Sequence, residues 1–378
     1  MQLFRWHLVA AISAALAALL LYWFRDPQAF VSPQFWAEDG MIFWLEQYTR
    51  GWRAIFIPYA GTSDFAPRVT AFLASFFDPS YAPRLYATAA IAFTCWSAAT
   101  AATAIESPLI GFLFGLAIML PPNPSGEMLG TVSDAQWFLA PTLALIAATD
   151  SRTSLALRLN RVLFTAIAGL TGPFSIFTAP LAARRFWKHR EWDLGLIVIC
   201  GLLQAVIVLL HPFDLPVWHE LGHNIEMEVL RLFPTLSVNV AAGGFTIAAF
   251  LLIAPGRELR LQLIGFAGLL LLATAWKARV DPTGFEDPVN LSRYFYVPQV
   301  ILIWCAISLT LSSVVGAVIG SLWFTLSIWT YPTQWFFAAL KPDMHWPQQI
   351  LDLGKRDLVI PISPNPDWTV RIPVNQNH

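Results

Sequence analysis

The chain has 378 residues, of which 56% are hydrophobic and 12% charged, with a net charge of −1 and a mean hydropathy of +0.57. That balance excludes a water-soluble globule, and the near-zero charge gives no reason to expect a nucleic-acid partner. Cys95, Cys200 and Cys305 all lie in apolar runs, so neither a disulfide framework nor a metal knuckle is implied.

The first apolar run, Leu8 to Phe24, follows Arg5 and His7 and continues into LLLYWFRDP without a small-residue cleavage site. It predicts a retained anchor. Directly after it comes VSPQFWAEDGMIFWLEQYTRGW (31–52), which sets Glu38 and Asp39 between aromatic clusters. The acidic pair could cap a short helix over MIFWLEQY. Alternatively, FWAEDGMIFWLEQY is an amphipathic helix in the membrane interface, its aromatics facing lipid and its carboxylates at headgroup depth. Gly40 beside the pair allows close backbone approach.

Further along, PRVTAFLASFF (67–77) is too short for an upright crossing, 83–105 is long enough, and the loop 122–136 is placed outside. Basic residues cluster at Arg152, Arg158 and Arg161, at RRFWKHR (184–190), and at Arg257 and Arg260. The positive-inside rule turns these loops to the cytoplasm and the carboxylate-bearing loops 25–66, 211–235 and 277–293 to the other side. Spans at 193–210, 236–254, 261–276, 295–312 and 314–331 then alternate and leave the C-terminus outside. Residues 161–183 join two cytoplasmic loops. Gly172-Pro173 breaks that stretch into two short helices that dip in and return.

After Tyr331 the chain turns polar and Pro-rich. DLVIPI and DWTVRIP predict two short strands around the turn SPNPD. Such a tail is too small for its own core and is expected to pack over the outer helix ends, with Trp346 and Trp368 as packing or interface residues. The expected fold is an all-α polytopic membrane protein of about nine to eleven helices, counting half-inserted ones. Residues 1–331 form the integral domain, with 25–66 as its first outward loop, and 332–378 form the outward tail.

WHELGH (218–223) matches H-E-x-x-H. His219 and His223 would share a helix face, Glu226 could add a third zinc ligand, and Glu220 could activate a bound water. The motif falls in an outward loop with Gly222 inside it, which favours an amphipathic surface helix over a metalloprotease site. A transporter or flippase is the other alternative. The spans supply Gln204, Asn239 and Gln262 but no clear mid-membrane carboxylate, contrary to what such a protein needs.

The WAEDG loop, PYAGTSDFAPR (58–68), NPSGEMLGTVSDAQWF (123–138), LTGPFSIFTAPL (170–181), SRYFYVP (292–298) and WPQQILDLGK with IPISPNPDWTVRIP (346–373) follow one another along the chain. Taken in that order they resemble the GT-C superfamily of polytopic glycosyltransferases, in particular bacterial members with a W-A-E-D-G first outward loop. The resemblance implies a helical bundle in the bacterial inner membrane with its site on the outer face. It also implies a polyprenyl-phosphate sugar donor, a lipid-linked or cell-surface glycan acceptor, and inversion at the anomeric carbon. The acidic residue of the first loop is the family's presumed base. Here that is Asp39, with Glu38 as second candidate or as ligand to a divalent ion, which some members use. The departing phosphate calls for a cation, best an arginine. Arg293 is the first candidate, with Tyr294 orienting the phosphate; Lys277, Arg279 and Arg68 are further ones. Glu127, together with Asp134 and Trp137, is a candidate for binding acceptor or sugar hydroxyls, the indole stacking on a sugar ring.

Overall fold

A computed structural model describes residues 2–121, 127–150, 154–211, 257–278, 292–330, 336–364 and 368–374. The anchor is α1 (Gln2–Arg25), followed by α2 (Gln28–Val31), a π-helical turn (Asp39–Trp44), α3 (Leu45–Arg50) and a 3-10 turn (Gly51–Phe56). The bundle continues with α4 (Phe65–Ala74), α5 (Ala82–Ala104), α6 (Pro108–Ala117), α7 (Ala135–Ala148), α8 (Leu155–Gly169), α9 (Phe174–His189) and α10 (Trp192–Leu210). Beyond these lie α11 (Arg257–Ala278), α12 (Ser292–Thr310), α13 (Val314–Thr330) and the short α14 (Trp346–Gln349). Among the described residues, four helices are long and apolar enough to cross a membrane: Phe4–Arg25, Pro79–Ala104, Trp192–Leu210 and Arg293–Thr310. The expected span 236–254 lies outside the described residues.

Helix α1 shows how the apolar sequence divides between bundle and surroundings. Ala10, Ala14, Ala18 and Tyr22, four residues apart, are buried, whereas Leu8, Ile12, Leu16 and Leu20 are exposed. Three alanines and Tyr22 face the neighbouring helices and large aliphatic side chains face outward, the arrangement of a helix whose solvent is lipid. Close packing follows. A methyl group on Gly115 would lie 2.7 Å from Ala14 Cβ and 2.5 Å from the Ala98 carbonyl oxygen.

The break expected within 161–183 is present. Helices α8 and α9, of 15 and 16 residues, are separated at Thr171-Gly172-Pro173, and each is shorter than a bilayer crossing. Gly172 has φ +75°, and a Cβ there would sit 2.1 Å from Gln136 Oε1, so the turn takes glycine for both backbone and space. The turn abuts the first turn of α7, and Phe65 N–H donates to the Leu170 carbonyl at 3.1 Å. The opposite end holds the basic cluster, where Arg161 of α8 pairs with Asp193 of α10 at 2.7 Å.

Among the described residues, the tail contains the one sheet in an otherwise helical fold. Strands β1 (Leu358–Pro361) and β2 (Thr369–Ile372) pair antiparallel, Leu358 opposite Ile372 and Pro361 opposite Thr369. Leu358, Ile360, Val370 and Ile372 point inward and pack with Phe35, Phe43, Trp44, Tyr86 and Trp346. This corrects the expectation for the first loop. Phe43 and Trp44 do not face lipid; they are buried under the tail, Trp44 meeting Trp346 edge-on at 5.0 Å. Helical periodicity tells which residues share a face, not whether lipid or another part of the chain covers it. The exposed aromatics come later, at Trp52, Phe56, Phe76, Phe77 and Tyr81.

Candidate functional site

The first loop is fastened from two sides. Ser363 of the tail accepts from Ala37 N–H at 2.7 Å and donates its own N–H to the Phe35 carbonyl at 3.0 Å. Ala37 is held at φ +25°, a conformation costly for a residue with a Cβ. Gly40 then brings the π-helical turn against the sheet: a Cβ there would lie 3.1 Å from Val370 Cγ2 and 3.2 Å from Ile362 Cδ1.

Asp39 turns the other way, into the protein. It is 1% exposed, and its two oxygens accept the N–H groups of Val132 at 3.0 Å and Ser133 at 2.8 Å. The pair therefore does not cap the following helix: Glu38 makes no side-chain capping bond, and Asp39 instead ties the first loop to 132–133. Burial pushes its carboxyl up to about 7; the Ser133 and Val132 N–H groups oppose that shift, and the Glu38 charge adds to it. Glu38, on the same turn, is half-buried, and its charge acts on Asp39, Tyr59, Asp134 and Arg293.

Segment 127–134 brings two more carboxylates. Arg293, at the start of α12, lies 3.5 Å from Glu127 and 4.0 Å from Asp134, and its guanidinium sits 5.5 Å from the Tyr294 ring centre. Burial holds the Asp134 carboxyl well above the usual carboxylate range. Arg293 opposes that shift, while Glu127, Glu38 and Asp39 reinforce it. Tyr59 stands in the same field. Its hydroxyl is pushed up to about 12 by burial, then by Glu38 and Asp64.

Lys341 closes the cluster from the tail. Its buried ammonium donates to the Leu129 carbonyl at 2.6 Å and lies 5.3 Å from the Trp36 ring centre. Burial pulls its pKa down; Asp26, Asp39 and Asp134 pull it back up. The backbone there is stitched to the end of α1. Gln28 accepts from Lys341 N–H at 2.7 Å and donates to the Lys341 carbonyl at 2.5 Å, and Arg25 Nε donates to the Phe336 carbonyl at 2.8 Å.

Of the residues singled out in the sequence, Glu38, Asp39, Glu127, Asp134, Trp137, Arg293 and Tyr294 converge at this one end of the bundle. Trp137 is corrected in role. Its ring is buried between Phe174 and Tyr294, and its Nε1–H donates to Asp134 at 3.0 Å, so it holds Asp134 rather than offering a face to a sugar. Arg68 stands apart, 1% exposed, paired with Glu46 at 2.6 Å and stacked over Phe43 at 4.9 Å. Lys277 is the penultimate residue of α11; its side chain, like Arg279, His219, His223 and Glu226, lies outside the described residues. Among the described residues no three His, Cys, Asp or Glu side chains group as metal ligands. Sequence reasoning missed Lys341 and Tyr59. The one available signal was a lone lysine within an apolar stretch, FFAALKPDMHW.

No family model, curated protein or solved structure matches this chain.

Proposed function

We propose that this chain is a membrane glycosyltransferase that moves a sugar from a polyprenyl-phosphate donor to a lipid-linked or cell-surface glycan on the outer face of the bacterial inner membrane. The observation that supports this reading best is the placement of Arg293. At 3.5 and 4.0 Å from its carboxylates, it is compensated but not clamped, since tight charge-assisted pairs close to about 2.7–2.9 Å. A phosphate arriving there finds a guanidinium with bonding capacity left over, next to carboxylates that can act on a hydroxyl.

In this reading Glu38 is the base and Asp39 its anchor. Asp39 has both oxygens committed to backbone N–H groups and is shut off from solvent. Glu38, one residue earlier on the same strained turn, is the more accessible carboxylate. The acceptor hydroxyl gives its proton to Glu38 as its oxygen bonds to the anomeric carbon from the face opposite the phosphate. The bond from that carbon to the phosphate oxygen breaks, its electron pair stays with the phosphate, and Arg293 balances the developing charge. Tyr294 flanks the guanidinium, and Asp134, 4.0 Å from Arg293, helps to hold that side chain in place.

The test uses the protein reconstituted in liposomes with a radiolabelled polyprenyl-phosphate hexose and membrane glycan from a strain lacking the gene. Label should pass to the glycan, and Glu38→Gln should slow transfer by about 10²–10⁴-fold. Transfer at the wild-type rate in Glu38→Gln would remove Glu38 from the mechanism. Whole glycan intermediates stranded on the inner leaflet of the deletion strain would favour a flippase instead.

A further inference from the structure

A groove of about 520 Å³ runs between the first loop and the tail sheet, lined by Met41, Leu45, Trp368, Thr369 and Arg371. Its size falls within the range of small-molecule sites. Each wall has a regular origin. Met41 and Leu45, four residues apart, form one stripe of the helical turn that begins at Asp39. Thr369 and Arg371, two apart on β2, project from the face opposite the buried Val370 and Ile372. Trp368, the residue just before β2, is 39% exposed.

The lining combines an apolar floor, an available indole, a hydroxyl and a guanidinium. Among the described residues Arg371 has no acidic partner, whereas Arg68, Arg161, Arg185 and Arg293 each have one. A pyranose ring offers an apolar C–H face for packing on indole and hydroxyls for Thr369. An acidic group on that ring would supply the anion that Arg371 lacks. We propose that this groove binds an acidic sugar of the acceptor glycan, whose chain then reaches Glu38 around the turn Glu38–Met41. The assignment rests on the transferase reading, because only an acceptor has reason to lie along the loop that carries the base.

The experiment reads binding, not transfer. The full chain in lipid nanodiscs is titrated with methyl β-glucuronide and with methyl β-glucoside, followed by saturation-transfer NMR. The glucuronide should bind, the glucoside about tenfold more weakly, and Arg371→Gln should remove that preference. Trp368→Ala should abolish saturation of either ring. Both side chains are exposed at the rim, so the variants fold, and unchanged melting temperatures verify it. Equal binding of the two glycosides, or glucuronide binding unaltered in both variants, overturns the proposal. So does dodecyl phosphate binding here in place of the glucuronide, which assigns the groove to a lipid headgroup. Loss of transfer in the liposome assay with glucuronide binding intact counts against the transferase reading alone; the reverse counts against the groove alone.

Discussion

Two arginines mark opposite ends of this bundle, and they are held in opposite ways. Arg161 has every guanidinium nitrogen engaged: Nε pairs with Asp193 at 2.7 Å, Nη1 donates to Thr149 Oγ1 at 3.2 Å, and Nη2 donates to the Ile146 and Thr149 carbonyls at 3.2 and 3.1 Å. It ties α7, α8 and α10 into one unit and is 1% exposed. Arg293 touches its carboxylates only at 3.5 and 4.0 Å, and its side chain is 25% exposed. Asp134, Glu127 and Glu38 act on Arg293, and Asp26, Asp39 and Asp134 act on Lys341 nearby. A satisfied charge is architecture; an under-committed one surrounded by protonatable groups is where chemistry can happen.

That contrast can be broken by one pair of substitutions. Arg161→Leu leaves Asp193 charged and buried, which costs about 3–5 kcal/mol and should leave little folded protein in detergent. Arg293→Leu should cost less than Arg161→Leu, because its pairs are longer and its side chain is 25% exposed, yet abolish sugar transfer. Melting temperature and transfer rate, measured on both, decide it. If Arg293→Leu melts as early as Arg161→Leu, Arg293 is a structural ion pair and the proposed role for it falls.

A smaller effect is expected where the tail meets the first loop. Gly40→Val would drive side-chain carbons into Val370 and Ile362, an overpacking worth about 1–3 kcal/mol. The tail should become sensitive to protease while the bundle stays intact, and transfer should fall with it. A tail that remains protected in Gly40→Val would mean that the sheet does not depend on this close approach.

These sites were unequally legible in the sequence. The two tail strands, the Gly172-Pro173 break and the close approach at Gly40 follow from turn chemistry and from what glycine permits. Charge segregation puts Glu38, Asp39 and Arg293 in loops on one side, but it does not reach Glu127 and Asp134, whose loop 122–136 has no basic residue. What failed was assignment of partners. Phe43 and Trp44 have the spacing of a lipid-facing stripe, and no local pattern says that a tail about three hundred residues later covers them. Lys341 reads as a solvated lysine because its burial depends on Gln28, Leu129 and Trp36, all distant in sequence. Ala37 gives no sign of φ +25°, since the loop is bent there by Ser363 and by Asp39 rather than by any preference of alanine. Arg161 was visible as a topology charge, but its satisfaction by Asp193 lives in three-dimensional packing.

The last expected effect, read as a slope against pH, concerns the anchor itself. Asp39 would titrate near its ordinary value, about 3.9, in an unfolded chain, and burial raises it to about 7 in the fold. Between those values the folded protein holds the extra proton, so stability falls as pH rises. The contribution is complete below about pH 4 and gone above about pH 7. Melting temperatures from about pH 5 to about pH 8 should therefore decline more steeply in the wild type than in Asp39→Asn, which cannot ionise. The amide that Asp39→Asn introduces keeps one acceptor oxygen for the two N–H groups of Val132 and Ser133. The variant should therefore melt somewhat lower than the wild type at the acid end of that range and converge with it at the alkaline end. A wild-type curve that instead rises with pH would mean that the two N–H bonds, not burial, govern this carboxylate. It would then be ionised at neutral pH, and the division of labour between Glu38 as base and Asp39 as anchor would lose its electrostatic basis.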